Sequence, residues 1–415
     1  MEFIEEKLGN IVDLTMGQSP KSEYYNFEKQ GLPFLQGNKD FGFKYPSLDI
    51  YTLNITKVAE KNDILMSVRA PVGDINIAPE KLCIGRGLCS LKMKESNNIF
   101  LYYLLKYYSN VFINNESGTV FGSINKNDIN NLTILIPKDI GDQDKIGQIL
   151  NQIDSKIEVN MKINNNLEQL IKKLYDNWFI DYEPFNEELK HTSIREIPKS
   201  WEIIDLKDFI KFQEGPGIRN WQYVENGTKF INIRCIQGND LNLENANMIS
   251  NEEAEGKYSH FMLNEWDIII STSGTLGKFA VIRKEHLPLC LNTSIIRFLP
   301  KKSFEDYSYV YSYLISTEFY HNLTTLGGGS VQINFGPTHL KQIKMIKPTK
   351  EVRSKYHKIV FPLIKSIISN KEEITKLTKL RDTLLPKLMS GEIDVSAINF
   401  DFKTHLFHLL ILLYT

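Results

Sequence analysis

The residues with types suited to catalysis do not have the spacing that catalysis needs. Gly274-Thr275-Leu276-Gly277-Lys278-Phe279 has the outline of a phosphate-binding loop. Only two residues separate its glycines, however, and Phe279 follows the lysine where Ser or Thr would hold magnesium. A turn ahead of a strand is the better reading. His191, His260, His286, His321, His339 and His357 contain no i, i+4 histidine pair of the kind that holds zinc on a helix. No Gly-x-Gly-x-x-Gly opens a strand-to-helix turn. No Pro-Pro pair exists to build the loop by which amino-methyltransferases hold a target amine. The carboxylates never gather with a lysine into a nuclease-like set, so the chain is expected to carry no catalytic centre and no metal of its own. Its polar loops are better suited to recognition. In the first half these loops offer Gln18, Ser19, Lys21, Gln36, Asn38, Lys39, Arg69, Arg86, Ser123, Asn125 and Lys126. The second half offers Arg219, Asn220, Arg234, Gln237, Asn239, Ser273, Thr275, Lys278, Gln332 and Asn334. Arg and Lys can address guanine, Asn and Gln adenine, and Ser or Thr the phosphate backbone. Tyr24, Tyr25, Tyr45 and Trp221 can stack or pack. Any one of these residues is also an ordinary loop residue; the case for recognition lies in the collection.

The elements that position these loops occur twice. A strand-rich stretch of roughly 140 residues leads into a heptad-patterned helix, and the pair recurs, a period too long for solenoid or propeller repeats of roughly 20 to 50 residues. Asp63-Ile64-Leu65-Met66-Ser67 returns as Asp267-Ile268-Ile269-Ile270-Ser271, and Gly73 as Gly277. Gln36-Gly37-Asn38 is matched with Gln237-Gly238-Asn239. Strands are predicted at Asp63 to Val68, Leu82 to Lys92 and Leu132 to Ile136, and again near Phe230 to Arg234, Asp267 to Ser271 and Ser294 to Leu299. Single helices are predicted over Ile99 to Ile113 and Tyr307 to Leu323. The loops Gly118 to Asn125 and Gly327 to Asn334 follow them.

Counting by sevens from Ile146 gives Ile153, Asn160, Leu167 and Leu174; the same row recurs as Tyr356, Leu363, Asn370, Leu377 and Leu384. Such a stripe is a helix-packing seam. Asp139 and Thr349 are suited to capping the two helices, and Pro184 and Gly391 to ending them. Pro386 is expected to kink or end the second helix early. Asn160 and Asn370 hold the same heptad place near each midpoint, where a lone Asn specifies register. Antiparallel packing would let the two amides meet. The resulting fold class is α+β: two similar mixed α/β domains joined by two long helices packed as an antiparallel coiled coil, with a pseudo-two-fold internal repeat. The boundaries are a first domain at 1–140, a helix at 141–184, a second domain at 185–348 with a short linker at 185–200, a second helix at 349–393 and an apolar tail of no assigned role at 394–415.

Composition narrows the setting. The chain has 415 residues, enough for two cores, and its net charge of −1 argues against a non-specific polyanion binder. A clamp with a basic face and an acidic back remains open. Cys83, Cys89, Cys235 and Cys290 form no C-x-x-C pair and read as reduced thiols of a cytoplasmic protein. The first residues lack a signal-peptide pattern, and the apolar run Leu406 to Tyr414 is far shorter than the ~20 residues of a membrane span, so no membrane role is expected.

Several segments resemble one family. Gln143-Asp144-Lys145-Ile146-Gly147-Gln148-Ile149-Leu150 through Glu158, Leu174-Tyr175-Asp176-Asn177-Trp178-Phe179 through Pro184, and Leu384-Leu385-Pro386-Lys387-Leu388-Met389-Ser390-Gly391 through Ile393 resemble the helical repeats of DNA specificity subunits of type I restriction–modification systems. Gly17-Gln18-Ser19-Pro20 and Gly215-Pro216-Gly217-Ile218 are similar to the entry loops of that family's two target-recognition domains. The resemblance implies that each domain reads half of a split double-stranded DNA sequence and that the helices space the readers. It also implies two methyltransferase subunits docked on the chain, which bring S-adenosylmethionine and methylate adenine N6. Restriction subunits would add ATP- and Mg-dependent translocation and cleavage. The alternative from another class is a protein-interaction scaffold with coiled-coil docking and no sequence-specific DNA contact.

Overall fold

The computed structural model describes residues 1–114, 122–272, 277–326 and 335–397. The chain forms two compact units, Met1–Val159 with Ile374–Thr415, and Asn160–Glu373. Two helices of 40 residues, Ile140–Phe179 and Lys350–Met389, are each divided between the units, at Val159/Asn160 and at Glu373/Ile374. Their starts follow from the caps: Asp139 Oδ1 accepts from the Asp142 amide at 3.0 Å, and Thr349 Oγ1 from the Val352 amide at 3.4 Å. Beyond the second helix Gly391 takes φ +80°, the left-handed conformation that commonly ends a helix.

The expected early stop at Pro386 does not occur, and the helix runs on to Met389. Pro362 is also interior to it. Both prolines lie on exposed positions, so water can serve the carbonyls that lose their helical donors.

Within each unit the two helix segments run antiparallel. In the first, Arg381 Nη1 donates to Asp154 Oδ1 at 2.9 Å. In the second, the amides of Asn160 and Asn370 do not meet each other. Asn160 Nδ2 donates to Glu373 Oε2 at 2.8 Å, and Asn370 Nδ2 to Asn164 Oδ1 at 2.8 Å. The register that satisfies the apolar seam sets the two asparagines about one turn apart, so each takes a polar partner from the facing helix instead.

The first unit places strands Val12–Met16, Leu88–Met93, Ile64–Ser67 and Ile75–Ile77, in that spatial order, in one antiparallel sheet. A second, mixed sheet orders Tyr25–Asn26, Tyr51–Thr52, Leu32–Leu35, Leu82–Ile84 and Val58–Ala59, with Leu32–Leu35 parallel to Leu82–Ile84. The predicted strand from Leu82 to Lys92 is thus two strands that join different sheets. Gly85-Arg86-Gly87 makes the break.

The second unit repeats the plan. Ile210–Glu214, Ile295–Pro300, Ile268–Ser271 and Phe279–Val281 form one sheet; Tyr223–Val224, Asn247–Ile249, Thr228–Ile231 and Leu289–Leu291 form the other, again with one parallel pair. The predicted strand from Phe230 to Arg234 ends at Ile231, because a 3-10 turn starts at Ile233. Each predicted domain helix is broken in two, Asn98–Tyr107 with Ser109–Asn114 and Tyr307–Leu314 with Thr317–Leu326.

Each core joins sheet to helix pair. Phe100 through Leu105 are all buried against the first sheet and the first-unit helix segments. A Cβ on Gly147 would lie 2.9 Å from the Phe100 amide nitrogen, so only glycine permits this approach. In the second unit Tyr309 and Tyr356 pack on Phe179, which also meets Trp201, and Tyr307, Tyr311 and Tyr313 are buried in the same aromatic-rich core. Among the described residues no helix is long and apolar enough to cross a membrane.

Candidate nucleic-acid interface

In the first unit five segments distant in sequence converge on the turn Gly85-Arg86-Gly87. The amide of Gln18 donates to the Ile84 carbonyl and that of Gly17 to the Leu88 carbonyl, both at 2.9 Å. Gly85 donates to Leu35 at 2.7 Å and Gly87 to Gln36 at 3.2 Å, while Val68 donates to Gly87 at 2.9 Å. Arg69 bridges to Ser123 in an isolated β contact, and Ile124 donates to the Val68 carbonyl. Side chains continue the network. Ser19 Oγ donates to Gln36 Oε1 at 2.9 Å and accepts from the Arg86 amide at 3.1 Å, and Asn38 Nδ2 donates to Asp74 Oδ2.

Glycine makes this convergence possible. A Cβ on Gly17 would lie 2.2 Å from the Gly85 carbonyl oxygen, and one on Gly87 2.6 Å from that of Gln36. The network leaves Gln18, Gln36, Arg69, Arg86 and Ser123 exposed around one tip, with Lys21 and Lys39 exposed on flanking 3-10 turns. Asn125 is exposed, but its Oδ1 caps the short helix Lys126–Asn130, so part of its hydrogen-bonding capacity is already in use; Lys126 opens that helix.

The second unit builds a similar tip on three of these backbone bonds, with Pro216, which has no amide hydrogen, standing where Gln18 donates. Asn292 donates to Ile231, Thr272 to Ser294 and Phe335 to Thr272, matching Gly85 to Leu35, Val68 to Gly87 and Ile124 to Val68. The parallel pairs Leu35 with Ile84 and Ile231 with Leu291 set the alignment. Asn292-Thr293-Ser294 therefore stands where Gly85-Arg86-Gly87 does, and Asn232 where Gln36 does. Sequence reasoning missed Asn232, Asn292 and Thr293. Aligning Cys83 with Cys290, each just ahead of the turn, would have found the last two.

The match of Gln36-Gly37-Asn38 with Gln237-Gly238-Asn239 is incorrect. Gly238 and Asn239, both at positive φ, form the two-residue loop of the hairpin Ile236–Gln237 to Asp240–Leu241. That hairpin leans on the helices: Asn239 Nδ2 donates to Glu168 Oε2 at 3.1 Å, and its carbonyl accepts from Lys371 Nζ. Gln237 is exposed on the same hairpin. Arg219, Asn220 and Arg234 are exposed on 3-10 turns, and Lys278 is half-buried in the turn ahead of Phe279–Val281. Ser273, Thr275, Gln332 and Asn334 lie outside the described residues, as does most of each loop that follows the domain helices.

Tyr24 and Tyr45 are each 40% exposed, Trp221 is 79% exposed, and Tyr25 packs on Phe34 at 4.7 Å.

Behind each tip sits a buried carboxylate. Asp63 accepts from Ser90 Oγ at 2.8 Å, and in the second unit Asp267 faces Arg297 at 3.6 Å. Burial pushes the Asp267 carboxyl above its ordinary value. Burial likewise raises the thiols of Cys89, Cys235 and Cys290, the last to about 11, and lowers His286 to about 4, with nearby Arg283 adding to the effect. Among the described residues no cluster of three or more His, Cys, Asp or Glu could hold a metal ion.

Comparison with known proteins adds a family to this geometry. Residues 2–169 and 198–379 match the model of the type I restriction modification DNA specificity domain. The chain is similar to the type I restriction enzyme MjaIX specificity subunit of Methanocaldococcus jannaschii, 27% identical over 416 residues that span 95% of this chain and 94% of that one. It is 43% identical to a putative MjaX specificity subunit of the same organism over 176 residues, 42% of this chain and 40% of the relative. The crystal structure of a type I restriction-modification S subunit from M. genitalium shares the fold, with a TM-score of 0.54 at 20% identity, covering 93% of this chain and 96% of that one.

Proposed function

The chain belongs to the family of type I restriction–modification DNA specificity subunits, and from that premise we propose that each of its tips reads one half of a bipartite DNA sequence. One observation carries the division of labour: three backbone bonds recur around the two tips on the same sheet plan, while the side chains they present differ. A duplicated scaffold with changed side chains suits a target whose halves differ in sequence. In the first half-site Arg86, Arg69, Gln18 and Gln36 supply guanidinium and amide groups for base edges, with Lys21 and Lys39 placed for phosphates. In the second, Thr293, Asn232, Arg219, Asn220 and Arg234 take those roles.

Residues 1–140 and 185–348 serve as the two readers. The helices at 141–184 and 349–393 set the spacing between half-sites and dock two modification subunits. Those partners hold S-adenosylmethionine and transfer methyl groups to adenine N6; restriction subunits bring ATP and Mg. The chain itself contributes recognition and no bond-making chemistry, and it works in the cytoplasm.

The test is reconstitution. The purified chain alone transfers no methyl group from S-adenosylmethionine; with a modification subunit added, methylation falls on one bipartite sequence, and binding weakens steeply as salt rises. Methyl transfer by the chain alone would refute the reading. Salt-insensitive binding without sequence-selective protection would favour the protein scaffold instead.

A further inference from the structure

Trp221 stands on the second unit's entry segment with 79% of its surface exposed. Trp201 is 1% exposed, and Trp178 and Trp266 pack into aromatic clusters. The backbone beneath the exposed indole is held on several sides. Gln222, buried, donates through Nε2 to Glu253 Oε1 at 2.7 Å and to Tyr258 Oη at 3.0 Å, and its Oε1 accepts from the Arg219 amide at 2.9 Å. Ile218 packs into the apolar cluster of Phe230, Tyr258 and Cys290. Upstream, a Cβ on Gly217 would lie 3.6 Å from Thr293 Cγ2, so the segment runs beside the reading turn. A buried glutamine with three bonds is a rigid mount for a ring that is left mostly exposed. Arg219 and Asn220, both exposed, flank it in sequence. The corresponding 3-10 turn of the first unit, Ser22–Tyr24, carries Glu23 in this place, ion-paired to Lys21 at 3.7 Å.

We propose, on the DNA-reading assignment above, that Trp221 stacks on a base at an opened base step in the half-site read by the second unit, a contact that Glu23, in the corresponding place of the first unit, does not supply. A nucleobase face is the flat apolar surface that an exposed, rigidly mounted indole fits, and stacking tolerates any base. Arg219 beside it suits the flanking phosphate. Because opening a step is easiest at pyrimidine–purine sequences, the contact favours such a step without reading base edges.

The experiment uses the chain assembled with its modification subunits and a duplex carrying the methylated site, with 2-aminopurine placed at successive positions in each half. Away from the target adenines, whose flipping into the modification subunits brightens the probe in either half, the expected result is a fluorescence change at one position of the second half, abolished by Trp221→Ala and retained by Trp221→Phe. Trp221→Ala also weakens specific binding about ten- to a hundredfold, while near-ultraviolet circular dichroism confirms the fold. DNA quenches the tryptophan emission of the wild type but not that of Trp221→Phe. Selective binding with silent probes, or unchanged DNA binding by Trp221→Ala together with failure to assemble with the modification subunit, overturns the stacking role. Loss of all sequence selectivity in the wild type would instead overturn the DNA reading, and this inference with it.

Discussion

The two units share a topology but not their means of stability, and the contrast separates what the scaffold requires from what the reader is free to change. Three amide-to-carbonyl bonds recur at both tips. The first closes on glycines, Gly17 against Gly85 and Gly87; the second keeps one glycine, Gly215, and uses Asn292 and Ser294 side chains to make the turn, with Ser294 Oγ accepting from the Ile233 amide at 3.1 Å. The helix registers differ similarly. The first unit uses a fully buried carboxylate, Asp154, which accepts from Tyr103 Oη at 2.7 Å and Arg381 at 2.9 Å. The second uses the looser pair Glu168 and Lys371 at 3.8 Å, with Asn239 between them. The lesson is that topology was inherited twice while each polar lock was solved separately.

The largest effect is expected at the tighter lock. Asp154→Ala leaves the Tyr103 hydroxyl unpartnered in the core and Arg381 with Asp382 alone, and should cost about 3–5 kcal/mol in chemical denaturation; Glu168→Ala breaks a longer pair whose Lys371 keeps the Asn239 carbonyl, and should cost less, about 2 kcal/mol. Equal losses would mean that the two locks do not differ as their geometry says.

Next in size is the glycine closure. Gly17→Ala drives a Cβ to 2.2 Å from a backbone oxygen, with no flexible side chain to yield. It should cost on the order of 3 kcal/mol and erase methylation of the first half-site. Gly37→Ala, with nothing within 4 Å of its Cβ, should be tolerated by the same assay.

A comparable effect separates the units by pH. His286 is neutral in the folded second unit because burial and Arg283 lower it from 6.5 to about 4, and burial lowers His357 in the same direction. The unfolded chain therefore binds more protons below pH 6.5, so stability is fully present above that value and lost as pH falls toward 4. The loss at His286 should approach about 3 kcal/mol. The first unit's histidines, His405 and His408, both lie in the apolar tail. Hydrogen exchange at pH 7.5 and 5 should show opening of the second unit alone, and His286→Gln should reduce the difference; uniform loosening would sink the account.

The smallest effect sharpens the reading surface. Arg86→Ala should cost about 1–3 kcal/mol of base discrimination in the first half-site, seen as relaxed methylation at one position. Thr293→Ala, a shorter side chain at the equivalent turn, should change the second half-site by less than about 1 kcal/mol.

Much of this was legible in the residues. The heptad row from Ile146 and its recurrence from Tyr356 mark two helices of nearly the observed length, because periodic burial is a local property of a helix. Asp139 and Thr349 cap where their side chains predict. The strand Asp63 to Ser67 and its repeat sit where alternating turns and apolar runs place them. The site was only half legible. Gln36 was matched with Gln237 on a shared Gln-Gly-Asn triplet, yet the second of these triplets serves as a hairpin turn. Equivalence is decided by which strand lies parallel to Leu82–Ile84 or Leu289–Leu291, and no local pattern records that pairing.

By itself the sequence determined the duplication, the helices, the antiparallel preference and the family, since each rests on periodicity or on contiguous motifs. Only the tertiary structure decided which loops share a tip, that Thr293 stands where Arg86 does, and that Asn160 meets Glu373 and not Asn370. These are contacts between residues far apart in the chain. They follow from sheet pairing and from the register at which two apolar seams interlock, both settled by packing over the whole unit.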